Sequence, residues 1–151
     1  KIVIRGNHDH WWKAKHPISF PGLLEPPVIF GENDVGIVGV RGWQTQRLPS
    51  PDHDAKMLVR ELSLLTKQLS DISECGVKIV MTHYPAQPYL STLKAHQVDS
   101  VVFGHVHLRS LPEDEIFAVD NELIDGVRMR CVAGDRLGFV PVQIYPDTNI
   151  D

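Results

Sequence analysis

Apolar and polar residues alternate along the chain in blocks that predict short strands separated by helices. Runs rich in valine, isoleucine and phenylalanine, bounded by glycine, proline or asparagine, are typical of strands. The predicted strands cover residues 2–5, 28–30, 35–40, 77–81, 101–103, 126–133 and 139–145. The second and third are separated by four residues with Gly31 and Asn33 and so predict a hairpin. The last contains Pro141, which places it at a sheet edge.

A different period appears between residues 52 and 74. Here apolar residues recur every three or four positions with charges between them, which predicts an amphipathic helix. Asp52 is the expected N-cap and Gly76 the expected stop. A shorter helix is predicted over residues 89–96. Strands and helices in alternation indicate the α/β class.

Residues 11–27 fit neither pattern, because their four prolines remove too many backbone donors for a regular element. This segment is therefore predicted to be an irregular loop at the surface. Trp11, Trp12 and Trp43 either line a substrate pocket or anchor this loop. Arg41 and Arg109 are candidates to contact a phosphate through paired donors.

The composition narrows the choice of function. With 151 residues, 42% hydrophobic and 23% charged, the chain has the balance of one globular domain. A net charge of -4 does not favour nucleic-acid binding, and no apolar run reaches the ~20 residues that a membrane span needs. Only two cysteines are present, which fits a reducing, cytoplasmic compartment. Eight histidines are many for this length and indicate metal or proton chemistry.

Histidines follow three of the predicted strands. The three blocks are Gly6-Asn7-His8-Asp9, Thr82-His83-Tyr84-Pro85 and Gly104-His105-Val106-His107. In an open α/β sheet, ligands bind outside the carboxyl ends of the strands, so these loops are expected to meet in one crevice. Imidazole and amide groups together are typical of a transition-metal site.

The three blocks resemble the last three of the five motifs of the calcineurin-like metallophosphoesterases. The likeness covers almost the whole chain. Four further stretches, residues 6–12, 40–43, 60–61 and 83–85, are similar to a group of predicted bacterial phosphohydrolases in that superfamily. The resemblance implies an αββα sandwich of two mixed sheets flanked by helices, here without its first strands.

The resemblance also implies a mechanism and its residues. Asn7, His83 and His105 would bind one divalent ion and His107 a second, the ions being manganese, iron, zinc or nickel. His8 would stabilise the transferring phosphoryl group and protonate the leaving oxygen, with Asp9 orienting its ring. The implied reaction is hydrolysis of a phosphate monoester or diester of a small molecule by a metal-activated water.

Two motifs of the family do not occur in the chain at their expected places. These are an Asp-x-His and a Gly-Asp, which should precede Gly6; Gly134-Asp135 is at the wrong end of the chain and is interpreted as a turn. The chain, residues 1–151, is therefore expected to be the C-terminal portion of a single metallophosphoesterase domain. Three ligands of one ion and one of the other would be present, so the 151 residues alone are expected to be inactive.

Two other interpretations remain. Superfamily members that have lost metal ligands serve as protein-binding scaffolds, and a chain without the first two motifs fits that class. Alternatively, His83, His105 and His107 form the facial triad of a mononuclear hydrolase, although this leaves residues 6–9 unexplained.

Overall fold

A single mixed β-sheet of six strands organises the chain. The computed structural model describes residues 1–10, 12, 24–32, 34–43, 51–107 and 122–145. The strands are β1 (Val28–Phe30), β2 (Val35–Val40), β3 (Val77–Thr82), β4 (Ser100–Phe103), β5 (Glu122–Ile124) and β6 (Val127–Cys131), in the spatial order β1-β2-β3-β4-β6-β5. The helices are α1 (Pro51–Asp71) and α2 (Leu90–Ala95), the second preceded by a 3₁₀ turn over Gln87–Tyr89. The α/β class is confirmed.

The four central strands, β2, β3, β4 and β6, run parallel, and β1 and β5 pair antiparallel at the two edges. The hairpin of β1 and β2 is confirmed, with Val28 opposite Ile37. The short edge strand β5 was not predicted, since its three residues begin with a glutamate. Because parallel strands share one direction, the residues that follow β2, β3, β4 and β6 all leave the sheet at the same edge.

Helix α1 covers one face of the sheet with its apolar stripe. Leu65 and Leu69 are fully buried and pack with Val38 and Val80 of β2 and β3 in one core cluster. Burial of each such leucine stabilises the fold by about 2 kcal/mol. The predicted helix is confirmed, but it begins at Pro51, so Asp52 lies inside the first turn rather than at the N-cap. Proline suits this first position because its missing N–H would have no partner there.

Two predicted strands do not form. Residues 2–5 contribute only a bridge between Ile2 and Leu24, and residues 139–145 contain no strand. Both segments have a strand-like pattern, but neither lies beside a continuous partner strand among the described residues. A strand is stabilised by its ladder and cross-strand pairs, so the pattern alone is insufficient. The described residues accordingly form one sheet.

The loop after β2 is fixed to α1 by two buried carboxylates. The Gly42 N–H donates to Glu61 Oε2 at 3.0 Å, and Trp43 Nε1 donates to Asp54 Oδ1 at 2.9 Å. Both carboxylates are almost fully buried. Trp43 therefore anchors the loop after β2 to α1, and its predicted role in anchoring residues 11–27 stays a prediction. Trp11, Arg109 and most of residues 11–27 lie outside the described residues.

Candidate metal centre

The loops after β2, β3 and β4 are joined to one another by backbone hydrogen bonds. His83 N and Tyr84 N both donate to Arg41 O at 3.1 Å, and Gly104 N donates to His83 O at 3.2 Å. His105 has a positive φ of 65°. That conformation costs a residue with a Cβ about 1 kcal/mol, so the surrounding contacts must hold it in place. The strand ends thus fix the two imidazoles before any ligand binds.

Three donor atoms from three segments converge at this edge. His83 Nε2 lies 2.8 Å from Asn7 Oδ1 and 3.2 Å from His105 Nδ1. Ligands at about 2.1 Å from one metal ion and in adjacent positions are separated by roughly 3 Å. The spacing of the three atoms therefore fits one shared ion, and two imidazoles with an amide oxygen suit a transition metal. The structure brings together the three residues predicted for the first ion.

The electrostatic environment keeps these imidazoles neutral. Burial, followed by the charge of His105, lowers the pKa of His83 to about 4. Burial also lowers the pKa of His105, with His107 as the next contribution. A neutral imidazole has a free lone pair, which is the form that binds a metal. At neutral pH both rings are therefore ready to act as ligands.

The ring of Tyr84 supports both imidazoles. Its centroid lies 4.4 Å from that of His105 and 5.0 Å from that of His83. Aromatic rings at these separations restrict each other's orientation.

Asn7 is positioned by a tight loop. Gly6 N donates to Asp9 Oδ2 at 2.7 Å, which closes residues 6–9. A Cβ on Gly6 would lie 3.2 Å from His83 Nδ1, so the absence of a side chain lets this loop approach the ring. Asp9 was predicted to orient His8, and that role stays a prediction: the contact of its carboxylate in the structure is with Gly6. His8 is exposed beside the cluster, and its charge lowers the pKa of His83 and His105.

His107 lies apart from the three convergent atoms. Its Nδ1 is 3.0 Å from Asp135 Oδ1, and the side chains are 59% and 28% exposed. Asp135 follows β6, and residues 134–139 form a turn as predicted for Gly134-Asp135, but the sequence interpretation missed this contact. One feature could have indicated this contact: Asp135 follows β6, which runs parallel to β4, the strand that precedes His107. A carboxylate at Nδ1 directs the other ring nitrogen, Nε2, outward as a potential ligand.

Within the described ranges, no group of three or more His, Cys, Asp or Glu side chains is placed to hold a metal. Only two histidines, His83 and His105, belong to the three-atom cluster. The amide oxygen of Asn7 is therefore needed as its third potential ligand.

A mixed α/β sheet with histidines at the carboxyl ends of parallel strands is typical of metal-dependent hydrolases. The family model for calcineurin-like phosphoesterases matches residues 1–109, which include all three histidine blocks. The chain belongs to the calcineurin-like phosphoesterase family, as its resemblance predicted. This family comprises hydrolases of phosphate esters that bind divalent metals. Comparisons with curated proteins and with solved structures find no match.

No helix in the described part of the chain has both the length and the apolar character needed to cross a membrane.

Proposed function

We propose that the chain belongs to a phosphoesterase domain that hydrolyses phosphate monoesters or diesters of small molecules. The observation that carries the proposal is the approach of Asn7 Oδ1 and His105 Nδ1 to His83 Nε2, at 2.8 Å and 3.2 Å respectively. Family membership supplies the reaction class, and this convergence supplies a place for one of its ions.

Each residue has a distinct part in this proposal. Asn7, His83 and His105 hold one ion, and His107, oriented by Asp135, contributes to a second. Manganese, iron, zinc or nickel at these positions would supply Lewis-acid activation of water and charge neutralisation on the phosphoryl oxygens. His8 is exposed next to the cluster, which suits an imidazole that donates a proton to the leaving oxygen.

We further propose a bacterial, cytoplasmic setting. The two cysteines, Cys75 and Cys131, are buried and form no disulfide, which is compatible with a reducing compartment. The net charge of -4 favours small phosphate esters over a long polyanion.

Hydrolysis of p-nitrophenyl phosphate and its bis ester by the full-length protein with Mn²⁺ tests the proposal. His8→Ala should lower kcat by about 10²- to 10⁴-fold, the typical contribution of a general acid, while metal content persists. His10→Ala is the matched control, because His10 is an exposed neighbour whose ring centroid is 6.4 Å from that of His8. Unchanged turnover in His8→Ala would refute its role. A full-length protein that binds no metal would favour the scaffold alternative.

A further inference from the structure

A cavity of about 320 Å³ lies beside the candidate metal centre, between residues 3–5, the end of β2 and helix α1. Its size is at the lower end of small-molecule sites. Part of its wall is apolar, with Val3, Ile4 and Leu64 among the lining residues. Three arginines also line it, and nothing in the proposed metal chemistry uses this space.

The three arginines that line the cavity are Arg5, Arg41 and Arg60. Among the described residues, none of the three forms an ion pair with a carboxylate. Arg5 Nε is buried, and the described part of the chain provides no hydrogen-bond partner for it. A buried donor without a partner costs free energy, so this guanidinium group is incompletely satisfied. Arg41 stacks on Trp43 at 5.1 Å from the ring centroid, which leaves the edge of its guanidinium group free to donate.

Two carboxylates also line the cavity. Glu61 accepts the Gly42 N–H and is buried, and Glu25 is exposed to solvent. Three cationic groups and two anionic ones leave an excess of positive charge in a protein whose net charge is -4. This local excess favours an anion.

The cavity adjoins the metal centre through its own lining residues. Arg5 directly precedes Gly6 and Asn7 in the chain. Arg41 accepts the His83 N–H through its backbone oxygen, and its charge lowers the pKa of His83. A molecule with a phosphate ester at the metal centre could therefore extend directly between Arg5 and Arg41.

We propose that this cavity binds a second anionic group, a phosphate or a carboxylate, of the ester that is hydrolysed at the metal centre. Arg5 and Arg41 recognise the anion, and the apolar wall contacts the carbon skeleton between the two charges. The part of the inference that concerns ester hydrolysis rests on the proposed function. The anion site itself is inferred independently, from the cavity and its arginines.

The anion site is tested on the metal-free full-length protein. Inorganic phosphate is titrated while the Nε–H NMR signals of arginine are followed, with chloride at equal ionic strength as the reference. Saturable shifts are expected at Arg5 and Arg41 and should be lost in Arg41→Gln. Lys67→Gln, an equal charge change on the exposed surface of α1, should leave them intact. Shifts that chloride reproduces, or that do not saturate, overturn the site whether or not the protein is a hydrolase.

The link to the substrate is tested with phenyl phosphate and 4-carboxyphenyl phosphate, which differ by one anion. In the full-length protein with Mn²⁺, Arg41→Gln should raise the ratio of KM for the carboxylated ester to KM for phenyl phosphate about tenfold. Arg41→Lys should reverse only part of this increase, because lysine lacks the paired donors. Equal effects on the two esters overturn the inference. If phosphate binds but neither ester is hydrolysed, the proposed function fails and the anion site remains.

Discussion

The two candidate ion positions differ in how much of their ligand sets the described residues provide. At the first, donor atoms of Asn7 and His105 lie 2.8 Å and 3.2 Å from His83 Nε2, and the two histidines follow the ends of β3 and β4. At the second, the His107 side chain is more than half exposed, and its hydrogen-bond partner among the described residues is Asp135. The first is a preorganised pocket, and the second is one oriented ligand.

The difference shows where preorganisation arises. His83 and His105 leave adjacent parallel strands, so sheet geometry determines their separation. His107 lies two residues further along the loop, where the sheet no longer constrains it, and depends on a single hydrogen bond. We therefore expect the 151-residue chain to bind one divalent ion per molecule with useful affinity and the second only weakly.

The largest expected effect comes from removing a ligand of the first position. His83→Ala should weaken Mn²⁺ or Zn²⁺ binding to the chain by about a hundredfold or more, because one of three ligands is lost. Isothermal titration calorimetry measures the affinity and the stoichiometry, with His10→Ala as the control. Retained affinity in His83→Ala would show that the three-atom cluster is not the ion site.

A smaller effect is expected from Asp135→Asn, which replaces the carboxylate that orients His107 by an amide of similar shape. Loss of such a partner typically weakens metal binding about 10- to 100-fold. In the full-length protein this should affect the second ion, while the first ion in the 151-residue chain keeps its affinity. The ¹⁵N shifts of the His107 ring should also lose the preference for a proton on Nδ1. Weakening of the first ion instead would contradict the separation of the two positions.

The smallest expected effect is on the pH dependence of folding stability, and it concerns only the first candidate ion position. The pKa of His83 is about 4 in the folded chain against 6.5 for an ordinary histidine. Between these values the unfolded chain binds a proton that the folded chain does not, so stability of the metal-free protein falls as pH decreases through this range. Thermal unfolding at pH 7.5 and pH 5 should show this loss, and His83→Gln should reduce it. His105, whose pKa is also lowered, accounts for a remaining part. An unchanged pH dependence in His83→Gln would contradict the burial of its ring.

The sequence predicted every strand of the described sheet except the short edge strand β5. The strands that precede His83 and His105 were recognised because each lies between parallel neighbours and has a continuous apolar run. Residues 2–5 and 139–145 have the same local character and yet form no strand, since a ladder requires a second chain segment that a local pattern does not reveal.

The candidate site shows the same limit. Asn7, His83 and His105 were found through short motifs, whose residues are close in the sequence to a strand end. Asp135 was missed because its partner, His107, is 28 residues away. Contacts of this kind depend on strand order, here the adjacency of β4 and β6, which residue patterns do not determine.

Strand β1 pairs with only part of β2. Beyond this pairing, one side chain bonds to the backbone groups of β2 that β1 leaves unpaired. Gln68 Oε1 accepts the Gly39 N–H at 2.8 Å, and Gln68 Nε2 donates to Gly39 O at 3.0 Å. A free pair of backbone groups at a sheet edge is a template on which another chain can add a strand. The amide occupies both groups as a neighbouring strand would, so helix α1 protects this edge against intermolecular β-pairing and aggregation.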